Sequence, residues 1–440
     1  MSTTVIDNLQ SNNATPPSGP YIRVIGSLNE TTGKVSVIDS NPDGGLRVAP
    51  SFSSADSFSR VRMSAPFSLF DSKQIYAKDT TFWTESLVTG GTSTYLTNQA
   101  AVQLQVTTTN ASSVIRQTRS YWPYQPGRSQ LIFITGLMGA IKANVRQRIG
   151  YFDSNNGAFF EQNGTALRVV RRTFVTGSAV DNAVDQASWN IDLLNGTGQS
   201  GYNLDTSKIQ LFVIDLSWLG AGIIRLGVVV NNVILYCHQF VASNTLTDVS
   251  MSNPSLPIRF EITNTAGTAS STSMNQISAA VFSEGGSDPV GLIVSGNTGA
   301  TATVVTATET AIMGVRLNST YNRAAIEPKS FEILSTSANN LIIRAYIRAT
   351  LTGGSWVATT GVASEINITP SGFTTTNATL IATDYVNTST TRQVSNLTKS
   401  SLNLGADFAG TTRDEFIVTV QNLSAGNNNT YAALIWKEIY

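Results

Sequence analysis

The sequence predicts an all-β protein: a jelly-roll-like β-sandwich preceded by an N-terminal arm and hairpin and followed by a second, smaller C-terminal β-sandwich. Three observations lead there. Strand-length apolar runs are separated along the 440 residues by clusters of Gly, Asn, Ser and Thr, the punctuation of antiparallel sheets. The most apolar stretch, Ile209 to Phe240, reads as three consecutive strands. Charged residues make up only 13% of the chain, against about 25% in an ordinary soluble domain, so solubility rests on hydroxyls and amides.

Within the central stretch, Ile209 to Leu216 is rich in β-branched and aromatic residues and suits a strand buried on both faces. Trp218-Leu219-Gly220-Ala221-Gly222 interrupts it with a turn or bulge that its glycines make cheap. Ile223 to Val230 resumes, and Asn231-Asn232 reverses the chain as a two-residue loop with positive φ. Val233 to Phe240 then returns antiparallel.

Taken in order, Met1 to Pro20 is polar and without apolar period, a flexible arm when alone. Tyr21 to Ile25 and Val35 to Ile38 flank turn clusters at Asn29 to Gly33 and Asn41 to Gly45, which is hairpin chemistry. The thirty residues Tyr21 to Pro50 are too few for a core of their own and are expected to lean on the next domain or on a neighbouring subunit, and 1–55 as a whole is expected to dock on a larger particle or on a sister subunit. Residues 56–288 form the body, with strands expected at Ala101 to Thr107, Gln130 to Thr135, Lys142 to Tyr151, Ala166 to Thr173 and Pro257 to Thr263. Ala179 to Ser188 is the one stretch expected to make a short helix. After Gly285-Gly286-Ser287-Asp288-Pro289 the composition shifts, and Gly291 to Thr310 reads as a linker or edge region. The smaller sandwich, 289–440, draws on Ala311 to Leu317, Phe331 to Leu334, Leu341 to Ala349, Ser355 to Val362, Phe416 to Val420 and Thr430 to Tyr440. That many short strands around an apolar hairpin fit two packed sheets better than an open one.

The block Phe58-Ser59-Arg60-Val61-Arg62-Met63-Ser64-Ala65-Pro66-Phe67-Ser68-Leu69-Phe70-Asp71-Ser72-Lys73 resembles one found in uncharacterised virion-associated structural proteins of tailed bacteriophages. The resemblance continues at Tyr121 to Gln130, Gly150 to Asp153, Asn156 to Glu161, Trp189 to Asp205, Trp218 to Arg225, His238 to Phe240, Leu256 to Arg259 and Ser283 to Gly286, covering about 56–290. It departs at Ser59 and Asn232, where the family pattern has Gly. It implies a non-enzymatic, self-assembling virion component, a trimer by the habit of such appendages, made in the host cytoplasm and assembled on the particle exterior. Tail, baseplate or fibre is the first placement and capsid decoration the second. At the level of architecture alone, strand, Arg-x-Gly, strand, tight turn and a strand ending in an aromatic is also similar to concanavalin-like jelly-roll lectin domains.

Composition narrows the function classes. A formal net charge of zero gives no steering towards nucleic acid or anionic membrane. No window approaches 18 consecutive apolar residues, so no membrane insertion is expected. Cys237 is the only cysteine, which excludes internal disulfides and cysteine-rich zinc sites, and there is no charged n-region with an apolar h-region to suggest secretion. No cofactor is expected.

Candidate chemistry is thin. His238, the single histidine, alternates on a strand with Tyr236 and Phe240, and without a Gly-x-Ser-x-Gly elbow it reads as a packing or hydrogen-bonding residue. A glycosidase needs two carboxylates at a set separation. Asp153, Glu161, Asp192, Asp205 and Asp215 are the candidates, although Asp153 and Asp192 sit in turns that Asx bonding explains. Asp153-Ser154-Asn155-Asn156-Gly157 has the oxygen content of a calcium loop but lacks the distal bidentate Glu. Basic residues cluster at Arg168-Val169-Val170-Arg171-Arg172 and at Arg116-Gln117-Thr118-Arg119, and the first, alternating with valines on a strand, could face acids of a neighbouring subunit, an anionic sugar or simply solvent. Tyr121-Trp122-Pro123-Tyr124 could stack on sugar rings or fill a core. The expectation is therefore no enzyme. Its alternatives are a carbohydrate-binding receptor-recognition adhesin, engaging a host surface glycan, and behind it a polysaccharide depolymerase.

Overall fold

A computed structural model describes the strand backbones at 26–28 and 35–37 and then residues 66–440, apart from 269, 301, 322, 337–338, 388–392 and 397–402, with backbone only at 393–396. The arm expected at Met1 to Pro20, the run Tyr21 to Ile25, both turn clusters and Phe58 to Ala65 lie outside the described residues. Residues 1–54 form one compact unit and 55–440 another. In the first, β1 (Gly26–Leu28) pairs antiparallel with β2 (Val35–Val37), setting Gly26 opposite Val37 and Leu28 opposite Val35.

The second unit begins with fifteen strands: β3 (Phe67–Lys73), β4 (Trp83–Val88), β5 (Thr92–Leu96), β6 (Ala101–Val106), β7 (Ser113–Thr118), β8 (Gln130–Leu137), β9 (Val145–Phe152), β10 (Gly157–Asn163), β11 (Ala166–Thr173), β12 (Val180–Asp185), β13 (Gln210–Leu216), β14 (Ile223–Val230), β15 (Val233–Val241), β16 (Ile258–Asn264) and β17 (Thr272–Ser283). They make a seven-stranded sheet in the order β12-β11-β10-β9-β16-β7-β4 and an eight-stranded sheet β15-β14-β13-β8-β17-β6-β5 with β3 added on β17. The inner faces close on one core that includes Trp83, Ile149, Phe160, Phe212, Leu226, Phe260 and Met274. Thirteen more strands follow: β18 (Leu292–Asn297), β19 (Thr303–Val305), β20 (Thr310–Leu317), β21 (Ala325–Ser335), β22 (Asn340–Ile347), β23 (Thr350–Thr352), β24 (Val357–Ala358), β25 (Ser364–Asn367), β26 (Gly372–Thr374), β27 (Thr379–Asn387), β28 (Gln393–Asn396), β29 (Glu415–Asn422) and β30 (Asn428–Ile439). Sheets β18-β30-β21-β28, with β19 on β30, and β24-β25-β20-β29-β22-β27 face each other, and β23 pairs β26. Phe331, Ile343, Phe416, Leu434 and Trp436 lie in the second core. The all-β, two-sheet architecture read from the sequence is the one found.

The central stretch folds as its residues dictate. β13 is buried along nearly its whole length, Gly220 has φ +78° in the turn after it, and Asn231 and Asn232 reverse the chain at φ +50° and +64°. One detail differs. The β14–β15 register slips between Leu226 and Gly227, leaving Cys237 as the extra residue. A bulge of this kind redirects the side chains on either side of it, so Tyr236 joins Leu131 and Val213 on the outer face, Cys237 enters the main core, and His238 packs edge-on against Phe240, centroids 4.6 Å apart. His238 thus shares a face with Phe240 but not with Tyr236.

Two further expectations are corrected. Ala179 to Ser188 is not a helix: it supplies β12 and a 3-10 turn at Gln186–Ser188. The spacing of Asp181 and Asp185 suits a helix face and alternate strand positions equally, and pairing opposite Arg172 and Arg168 on β11 decides for the strand. Ser355 to Val362 keeps only β24, because Thr359 folds back so that its N–H donates to the Ser364 carbonyl at 3.2 Å. For Gly291 to Thr310, read as linker or edge, the edge reading is the one found: β18 is the outermost strand beside β30, and β19 pairs with β30 as well.

The two sandwiches meet through arginines. Arg323 Nε lies 2.7 Å from Asp153 Oδ2 and Arg119 Nη1 3.3 Å from Asp414 Oδ1. Arg348 Nη1 donates to the Thr80 and Thr81 carbonyls at 3.0 and 3.1 Å.

Trp436 is fully buried and its Nε1 donates to Ser364 Oγ at 3.1 Å. Replacing it with alanine is expected to cost about 3–5 kcal/mol, seen in urea unfolding followed by circular dichroism. A loss under about 1 kcal/mol would place this tryptophan outside the core.

Candidate functional site

The outer face of the seven-stranded sheet carries the densest chemistry among the described residues. Register sets Asp185 (β12) opposite Arg168 (β11), Arg168 opposite Glu161 (β10), Glu161 opposite Arg148 (β9) and Arg148 opposite Glu261 (β16). Charge therefore alternates in one row across five adjacent strands. Arg168 Nε is 2.6 Å from Asp185 Oδ1, Arg148 Nε 2.7 Å from Glu161 Oε2 and Arg148 Nη1 3.3 Å from Glu261 Oε1. Arg172 grips Asp181 with two nitrogens at 2.7 and 2.9 Å, and Arg146 and Arg259 approach Glu261 at 3.4 and 3.6 Å.

Beneath the guanidiniums lie aromatic rings. Phe152, Phe159 and Val170 form a fully buried cluster on this face, with the two rings 4.3 Å apart. Arg148, Arg172 and Arg259 sit over one or both, 5.0 to 5.8 Å from the centroids. Gly150 makes this possible: a Cβ there would stand 2.4 Å from Phe159 Cβ. At the ends of the plate the side chains of Arg146, Arg168 and Asp181 are about 30% exposed and that of Asp185 is 60% exposed, while Glu161 and Glu261 are buried.

Two of the plate's carboxylates, Glu261 and Asp181, are poor proton donors. Burial pushes Glu261 up, but Arg148, Arg259 and Arg146 outweigh it and hold its pKa below the usual range. Asp181 is held down in the same way, against its burial, chiefly by Arg172. A glycosidase acid needs the opposite shift. The row therefore offers fixed donors and acceptors rather than a proton relay.

The five carboxylates picked out from the sequence are scattered. Asp153 Oδ1 accepts from the Asn155 and Asn156 N–H groups at 2.7 Å, closing an Asx turn, and its other oxygen faces Arg323. A guanidinium thus sits where the calcium reading would put the cation. Asp192 ties its loop through the N–H groups of Leu194 and Ser200, 2.8 and 2.6 Å away. Asp205 takes the Ser207 N–H at 2.9 Å. Asp215 lies on the outer face of the other sheet, 2.6 Å from Arg225 Nη2 and 2.9 Å from the Tyr236 hydroxyl. Only Glu161 belongs to the plate. Its partners Arg146, Arg148, Asp181, Asp185, Arg259 and Glu261 are missed by sequence reading because they come from separate strands, although the alternation Arg146-x-Arg148 is a legible signal.

The basic runs also divide. Arg168 and Arg172 are neutralised within the chain, Arg116 is buried between the sheets beside Glu85 and Gln276, and Arg119 joins the sandwiches. Tyr121, Trp122 and Tyr124 are buried, Trp122 stacking on Phe70 at 4.7 Å and the Tyr124 hydroxyl accepting from Trp218 N–H at 3.0 Å. They fill the core and form no exposed sugar platform. Cys237 is sealed in the core with its thiol pKa pushed well up by burial.

No protein-family model matches this chain, and no curated protein sequence does. Solved structures resemble it in part. The carbohydrate recognition domain of Emp47p matches at 11% identity and TM-score 0.32, over 49% of this chain and 96% of its own. A legume lectin-like domain from Entamoeba histolytica gives 11% and 0.31, over 50% and 98%. A glycoside hydrolase family protein from Mycobacterium thermorestibile gives 12% and 0.34, over 49% and 100%. At these values the likeness carries no argument about ligand or chemistry.

His238 Nδ1 accepts from the Asn190 N–H at 3.2 Å, and burial lowers the imidazole pKa to about 4. The unfolded chain, with a pKa near 6.5, takes up its proton first as pH falls. The stability contributed by the neutral ring is therefore complete above about pH 6.5 and is lost between there and about pH 4. NMR titration of this ring should give a midpoint about 4, and one at 6 or above would place the ring in water.

Proposed function

We propose that this chain is a non-catalytic carbohydrate-binding β-sandwich protein that reads its ligand with the charged plate of the seven-stranded sheet. The observation that carries this reading is the alternating row Asp185, Arg168, Glu161, Arg148 and Glu261, ion-paired in place and partly open at Arg168 and Asp185. Adjacent strands lie about 4.8 Å apart, so fixed donors and acceptors alternate at a step that equatorial hydroxyls on alternate ring carbons of a sugar can meet. Because the charges neutralise one another, a polyol can bond to both signs without leaving either uncompensated, and the prior ordering lowers the entropy lost on binding.

A second reading rests on the sequence blocks over about 56–290 and on one surface feature. Val290, Leu292, Ile293 and Tyr440 are exposed, and pairing of Leu292 with Glu438 brings them together at the β18 edge of its sheet. Such an edge invites a second copy. In this reading the chain is a virion component of tail, baseplate, fibre or capsid decoration, with 1–55 as the docking arm, 56–288 and 289–440 as its two sandwiches and a trimer as its assembly. The readings are compatible, since a receptor-recognition module can be carried on a particle.

Arg168→Ala and Asp185→Asn change exposed ends of the plate. Each is expected to weaken glycan-array binding about tenfold, the loss of one charge-assisted bond, with little change in melting temperature and no release of reducing ends by the parent protein. Unaltered binding in both would move the ligand elsewhere, and turnover would make the chain an enzyme. Light scattering on the purified protein should give a trimer that Ile293→Lys converts to monomer. A monomeric parent would remove the assembly reading.

A further inference from the structure

Arg171 stands apart from the neutralised arginines around it. It projects from β11 to the inner side, opposite Ala158 on β10 and Asn182 on β12, and is 8% exposed. Among the described residues no carboxylate pairs with it and no acceptor takes a bond from its guanidinium. Its Nε is fully buried without a partner, and Thr173 Oγ1, the next inward position on the same strand, is in the same state. The contact it does make is with Phe240 of β15, whose ring centroid is 5.8 Å from its Cζ.

The contrast with its neighbour is chemical. Burial works against the Arg172 cation, but Asp181 more than compensates and raises its pKa, whereas burial alone lowers that of Arg171. A guanidinium drawn partly out of water, its Nε sealed and no counter-ion beside it among the described residues, is costly to hold, and an arriving anion would offset that cost. β12 and β15 are the outermost strands of their sheets. Arg171 stands on β11, one strand in from the β12 margin, and Phe240 on the β15 margin, and the two meet across the gap between the sheets. The segment from Asn190 to Asp192 closes the neighbouring stretch of that rim, its N–H groups donating to His238 Nδ1 and the Cys237 carbonyl.

We propose that Arg171 and Thr173 form a subsite for the carboxylate of a uronic acid unit, which enters between β12 and β15 with its pyranose ring against Phe240. The planar guanidinium takes both carboxylate oxygens in parallel, the Thr173 hydroxyl donates to one of them, and the aromatic face covers the C–H side of the sugar. The subsite lies between the sheets, apart from the outer plate. It deepens the saccharide-binding reading by naming an acidic sugar, and its anion chemistry holds without that reading.

The test uses the full chain with glucuronate, acetate and glucose, reading melting temperature and the NMR shifts of the His238 ring, which packs on Phe240. Glucuronate should raise the melting temperature saturably and move the His238 signals, acetate should do so at least tenfold more weakly, and glucose should do neither. Arg171→Met should abolish the response and melt higher than the parent without ligand, since it removes an unpaired charge. Thr173→Val should weaken glucuronate several-fold and serves if the arginine variant does not fold. No response to glucuronate, or the same response in both variants, overturns the proposal. Acetate equal to glucuronate overturns its sugar part, and glucuronate binding that survives loss of glycan binding in Arg168→Ala separates this subsite from the plate.

Discussion

Strand register is the constraint on which the rest of this molecule depends. On β9, β10, β11 and β16 one set of alternate residues enters the core and the other meets charge on the outer face. Ile149, Phe160, Val169 and Phe260 are core residues, and Arg148, Glu161, Arg168 and Glu261 sit beside them in sequence on the opposite side. A slip of one residue on any of these strands would exchange the two sets. Core packing and the ion row thus enforce the same pairing, and neither could persist with the other displaced.

This explains why so lightly charged a chain spends its charges where it does. Exposed ion pairs contribute little to stability, and a buried pair is weak evidence for stability because of desolvation. A row in which each inner charge has two opposite neighbours is better placed, since every guanidinium keeps an acceptor and every carboxylate a donor. Phe152 and Phe159 beneath it add cation–π contacts and exclude water from the inner side. The same economy recurs at the junction of the sandwiches, where Arg323 meets Asp153 and Arg119 meets Asp414. The outer plate is therefore ordered by its own ion pairs, and in it Glu261 and Asp181 are held below the usual carboxylate range, the opposite of the shift an acid catalyst needs.

The sheet margins are handled one by one. β12 carries Asp181 and Asp185, and charges on an edge strand discourage further pairing. β15 is covered where Asn190 exchanges bonds with Gln239, its Oδ1 accepting the Gln239 N–H at 2.9 Å and its Nδ2 donating to the Gln239 carbonyl at 3.0 Å. β18 keeps exposed Leu292 and Ile293 instead. By that difference the second sandwich is the one that offers an open edge to another chain.

The sequence by itself determined the local grammar. Alternating apolar positions gave the strands, Asn231-Asn232 and Trp218 to Gly222 gave the turns, and a single histidine and a single cysteine bounded the chemistry. These follow from sterics and burial over a few residues, which any stretch carries with it. Tertiary structure alone decided which charges meet. Arg148 and Glu261 are neighbours because β9 and β16 pair across 113 positions of chain, and no local signal encodes that. The same long-range pairing turned Ala179 to Ser188 from an apparent helix into an edge strand, buried Tyr121, Trp122 and Tyr124, and left Arg171 between the sheets with no counter-ion among the described residues. Periodicity fixes which way a side chain points; only the assembled sheets fix what it finds there.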